Sequence, residues 1–88
     1  MSDARKTIAV IVRSREPRRI AEALRGAVGL TLRGDRVRVA LAPDVPRTGD
    51  RDVVRAIATL TSFGHAVSHE DGAIASALAD ADAVEVWS

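Results

Sequence analysis

Apolar residues gather in four short runs, separated by longer stretches in which they recur every three or four positions. Thr7-Ile8-Ala9-Val10-Ile11-Val12 is a continuous apolar run rich in β-branched residues. It is too short for a helix and reads as a strand buried on both faces, as in a parallel sheet. Ser14 or Glu16 is placed to cap a following helix, with Pro17 in its first turn, where a missing N–H costs little. Ile20, Ala23, Leu24, Ala27, Val28 and Thr31 keep helical spacing, and Gly34 supplies the stop. Arg36 to Leu41 alternates, with Val37, Val39 and Leu41 on one face and Arg36 and Arg38 on the other, the pattern expected of an edge strand. After a Pro- and Gly-containing loop from Pro43 to Gly49, Asp50 can cap a second helix with Val53, Ile57, Leu60 and Thr61 inward and Gly64 at its end. Ala66-Val67-Ser68 is a third strand. Asp71 is placed to cap a third helix with Ile74, Ala75, Leu78 and Ala79 inward, and Ala83 to Trp87 is a fourth strand.

The order βαβαβαβ defines an α/β domain over residues 1–88 with a mostly parallel sheet and right-handed crossovers. The arrangement expected is flavodoxin-like, with strand order 2-1-3-4, the apolar first strand inside and the arginine-bearing second strand at an edge. That order places the first helix alone on one face and the other two on the opposite face. The first face is then partly bare, and a second subunit is expected to cover it.

Composition narrows the chemistry. Of 88 residues, 47% are apolar but only Phe63 and Trp87 are large aromatics, so the core must be aliphatic. No apolar run approaches the roughly 20 residues that span a bilayer. The charged start, Met1 to Lys6, does not read as a signal peptide. The chain has no cysteine, which excludes disulfides, thiolate metal sites and persulfides on this chain. A cytoplasmic location with no membrane association is the expectation. The net charge of +1 hides a division: all thirteen basic residues lie in residues 1–55, while residues 56–88 hold five acidic residues and no Lys or Arg. Such halves can act as solvated faces or as complementary surfaces for self-association.

Ligands of a parallel α/β sheet bind beyond the carboxyl ends of its strands. Three segments are expected there: Arg13-Ser14-Arg15, Pro43-Asp44 and Ser68-His69-Glu70-Asp71. The first lies at a helix N-terminus, where free N–H groups and the helix dipole favour an anion, with Arg18 and Arg19 adding charge. Arg13, Ser14, Arg15, Asp44 and His69 are thus the candidate anion- or ligand-binding residues. In an alternative reading, Ser14, Arg15, Asp44 and His69 serve a small-ligand protein or an enzyme, His69 acting as base. No Gly-rich phosphate fingerprint and no G-x-S-x-G motif accompanies them. His65 and His69 stand about 13 Å apart along a strand, too far to chelate one ion, so neither a metal nor a cofactor is expected. With no aromatic platform for bases and basic residues spread over several elements, the sequence argues against nucleic acid.

The strand Thr7–Val12, the segment Ala21-Glu22-Ala23-Leu24-Arg25-Gly26-Ala27-Val28-Gly29-Leu30-Thr31-Leu32-Arg33-Gly34 and the strand Arg36–Leu41 together resemble the opening of DsrE/DsrF/DsrH-like proteins. Ala81-Asp82-Ala83-Val84-Glu85-Val86-Trp87 is similar to their last strand. The resemblance implies a small α/β fold and assembly into homo- or hetero-oligomers. It also implies a place in sulfur relay, including tRNA thiolation and sulfur oxidation, through a cysteine persulfide in the loops after the middle strands. This chain has no such cysteine. What the resemblance leaves is a non-catalytic subunit, a role to which the short length is suited, binding a related subunit, a second copy of itself or a small anion.

Overall fold

The computed structural model describes residues 6–45 and 49–88. The expectations for Met1 to Arg5, and for Pro46 to Thr48 of the Pro43–Gly49 loop, lie outside them. Seven elements follow in the order expected: β1 (Thr7–Val12), α1 (Pro17–Leu32), β2 (Arg36–Leu41), α2 (Arg51–Ser62), β3 (Ala66–Ser68), α3 (Ala73–Ala79) and β4 (Ala83–Trp87).

Local chemistry explains most of the boundaries. Glu16 is the N-cap residue of α1 and Pro17 opens it, without a side-chain capping bond. Gly34, at φ 95°, takes the left-handed conformation that ends the helix and donates its N–H to the Thr31 carbonyl at 3.0 Å. Asp50 caps α2 as its position implies: Oδ1 accepts from the backbone N–H groups of Asp52 and Val53. The third helix departs from expectation. Its N-cap residue is Gly72, not Asp71, and no side chain caps it.

All three strand pairings are parallel, but the order is β3-β2-β1-β4. This corrects the flavodoxin-like order 2-1-3-4. β2 is interior, and the edges are the three-residue β3 and the five-residue β4. The chain steps from β1 through β2 to β3 in one direction, then crosses back to β4 on the far side of β1. Right-handed crossovers therefore place α1 and α2 together on one face and α3 alone on the other. This corrects the expected division, in which α1 stood alone.

The two faces differ in substance. Under α1 and α2, Ile8, Val10, Val12, Val37, Val39 and Leu41 of the sheet meet Ile20, Leu24, Val53 and Leu60 of the helices in a continuous aliphatic core. Each such side chain contributes about 1.5–3 kcal/mol on burial. On the opposite face Ala9, Ile11 and Ala40 meet Ala73 and Ala77 of α3. Those inward positions replace the expected Ala75, Leu78 and Ala79, all of which are exposed, while Ile74 is half-buried. The small Ala73 and Ala77, four apart on one helix face, seat α3 closely against the alanines of β1 and β2.

At the amino end of the β1–β4 pair a reciprocal clamp fixes the register. Thr7 donates its N–H to Asp82 Oδ2, and Asp82 donates its own to the Thr7 carbonyl, each at 2.8 Å. Ile8 then pairs with Ala83, Ala9 with Val84, and so on to Val12 with Trp87. Paired residues of a parallel sheet share a face. Val84 and Val86 therefore lie on the α3 side, and Ala83, Glu85 and Trp87 on the α1 side.

Candidate functional site

Strand order decides where a ligand crevice opens. With order 3-2-1-4, the strand order reverses between β1 and β4, which makes the gap at their carboxyl ends the topological switch point. Arg13-Ser14-Arg15 follows β1 there, and Ser88 follows β4. The Arg13 N–H donates to the Trp87 carbonyl at 2.7 Å, so β1 and β4 stay paired to the brink of the crevice.

Ser14 is half-buried, and its Oγ accepts from the Glu16 N–H at 3.2 Å, a turn-forming bond that explains its conformation without a ligand. Because Glu16 provides no capping side chain and Pro17 has no N–H, the first turn of α1 presents the N–H groups of Arg18 and Arg19 toward the crevice. Arg13, Arg15 and Arg18 are exposed and carry no ion pair among the described residues. Arg19 is engaged: its Nε donates to the Ser88 backbone oxygen at 2.9 Å, and its guanidinium lies 5.1 Å from the centroid of the Trp87 ring. Trp87 in turn lies over α1, its ring 3.8 Å from the place a Cβ on Gly26 would occupy. The indole is thus half-buried within its own chain.

The other expected site residues lie elsewhere along the carboxyl edge. Asp44 is exposed in the turn after β2, and His69 is half-buried after β3. β3 stands two strands from β1, roughly 10 Å at ordinary strand spacing. No hydrogen bond joins Ser14, Asp44 and His69 among the described residues, so the structure does not assemble them into a nucleophile–base constellation. The two histidines also remain apart in role. His65 Nδ1 accepts from the Val37 N–H at 3.3 Å, which ties the start of β3 to β2. Among the described residues no cluster of His, Asp and Glu could hold a metal ion.

Two arrangements were not read from the sequence. Arg38 points to the α3 side of the sheet, where its Nη1 donates to Asp80 Oδ2 at 2.8 Å and its Nη2 to Ser76 Oγ at 3.2 Å. It forms one wall of a cleft of about 150 Å³ that Ser68, Glu70 and Asp71 share. That volume is below the roughly 300 Å³ at which small-molecule pockets begin. The alternating arginines of β2 were the sequence signal: such a residue on an interior strand requires a polar partner.

The second is an apolar strip. α3 packs over β1 and β2, leaving the α3 side of β4 open. Val84 is 47% exposed, Val86 59% and Leu78 44%.

The fold and this edge define a doubly wound parallel α/β domain whose last strand is uncovered on its α3 side. No helix of the described residues is long and apolar enough to cross a membrane. Comparison with family models, with curated proteins and with solved structures finds no match to this chain.

Proposed function

We propose that the protein is a non-catalytic, DsrE-like assembly subunit that associates through the α3 side of its sheet, in a setting related to sulfur relay. The observation that carries the assembly role is the exposure of Val84 and Val86 on the α3 side of β4, aliphatic side chains left in water where one short helix does not cover them. Exposed aliphatic surface costs on the order of 25 cal/mol per Å², which another subunit recovers on covering it. The absence of cysteine supports a supporting role over sulfur transfer, because the relay nucleophile is a thiolate. Binding that favours the folded state raises stability by mass action. The thermal midpoint is therefore expected to rise as protein concentration increases from about 1 to about 300 µM. A midpoint constant over that range rejects the assembly role.

A second reading is favoured by the open first turn of α1. Sulfate or phosphate would be held there by the N–H groups of Arg18 and Arg19 and the side chains of Arg13 and Arg15. Titration with sulfate at constant ionic strength is expected to raise the thermal midpoint, and Arg15→Ala to reduce that gain by at least half. An undiminished gain in Arg15→Ala places the effect elsewhere.

A further inference from the structure

We propose that β4 is the seam of a twofold dimer, in which the last strands of two copies pair antiparallel and join two four-stranded sheets into one of eight strands. The proposal rests on the assembly reading above and names its partner, a second copy, and the register of contact.

The first argument is the state of the two sheet edges. An edge strand exposes a row of unpaired backbone groups, and proteins guard such edges with lysine, proline, bulges or brevity. β3 is guarded by brevity, being three residues long. β4 carries Ala83-Val84-Glu85-Val86-Trp87, with no lysine, no proline and one charge, and four of its five residues are exposed. It pairs regularly with β1 over all five positions, so no bulge turns its free edge aside.

The second argument is charge complementarity, which selects one register. A twofold axis perpendicular to the sheet keeps each face on its own side, so directly opposed residues share a face and the axis passes between a residue and its own copy. An axis at Glu85 would set two carboxylates opposite each other, which is unfavourable. An axis at Val84 would oppose Asp82 to Val86. An axis at Val86 opposes Val86 to itself and Glu85 to Trp87 of the second copy. The guanidinium of Arg19 already lies beside that ring, 5.1 Å from its centroid. Each Glu85 then meets Arg19 of the second copy, and symmetry makes the pair twice. Glu85 is exposed and has no partner of its own among the described residues. The same register brings Val84 and Val86 of both copies together on the α3 side. A five-residue seam is small beside the roughly 800 Å² per partner of a standard interface, so the dimer is weak and reversible.

Sedimentation velocity between about 10 µM and 1 mM is expected to show the mass rising from 9.3 kDa toward twice that value. Backbone amides of β4 should exchange more slowly as concentration rises. Val86→Lys, at an exposed position that leaves the circular dichroism spectrum unchanged, should hold the protein monomeric. Glu85→Arg should weaken association about tenfold, and adding Arg19→Glu should restore it. A monomer at every concentration overturns both the seam and the assembly reading. Association that Val86→Lys abolishes while β4 amide exchange stays independent of concentration overturns the seam and leaves the assembly reading standing; association that Val86→Lys does not affect overturns both. Mass that climbs past the dimer without limit overturns the closed twofold arrangement.

Discussion

Leu24→Ala is expected to lower the free energy of unfolding by about 2–5 kcal/mol. Leu24 is fully buried where α1 meets the sheet, among the aliphatic side chains of β1 and β2. Truncation removes three buried carbons and leaves a cavity that the neighbouring α2, itself packed on α1, closes only in part. Domains of this size hold about 5–15 kcal/mol in all, so the variant stands close to its unfolding threshold. Leu32→Ala, one residue type and one helix in common, should change stability by less than about 0.5 kcal/mol, because Leu32 is 77% exposed. Urea unfolding with unchanged m-values measures both. Equal losses in the two variants contradict the placement of α1.

Ala77→Leu is expected to destabilise by about 1–3 kcal/mol through overpacking. Ala77 is 4% exposed and lies with Ala73 against Ala9, Ile11 and Ala40, a layer built of small side chains. A leucine there must lift α3 from the sheet, loosening the Arg38–Asp80 and Arg38–Ser76 bonds that fasten its far end. Ala75→Leu, on the exposed side of the same helix, is expected to stay within about 0.5 kcal/mol of the parent. The comparison is sharp because spacing alone assigns Ala75 to the inside and leaves Ala77 out. Thermal or urea unfolding of the pair decides which face of α3 meets the sheet.

That reversal shows where the sequence stops being legible. The limits of β1, β2, β3 and β4 follow from runs and alternation, and Gly34, Asp50 and Gly64 mark helix ends by local backbone chemistry. Strand order is not local. Both 2-1-3-4 and 3-2-1-4 satisfy right-handed crossovers and both bury the apolar β1. The alternation of Arg36 and Arg38 signals a polar face, and it read as an edge because the partner of Arg38, Asp80, lies 42 residues away. The site followed the order. Arg13, Ser14 and Arg15 follow β1 and lie beside the switch point, while Asp44 and His69 follow strands on its far side. Trp87 was legible as a residue of an edge strand, but its seat over Gly26 depends on α1 lying above β4, which no spacing in either segment encodes.

The pairing of β1 with β4 also has a kinetic meaning. Thr7 and Asp82, joined by the clamp at the start of this pair, are 75 positions apart in the chain. β1, β2 and β3 are joined by shorter separations in sequence and can align first, each beside the last, with α1 and α2 closing over them. Throughout that time β1, the most apolar strand, keeps one flank open. It becomes interior only when residues 83–87 arrive, so the hydrophobic centre of the sheet is the last part to lose its free edge. Docking of β4 therefore exchanges an open flank on the largely aliphatic β1 for one on a strand that carries Glu85.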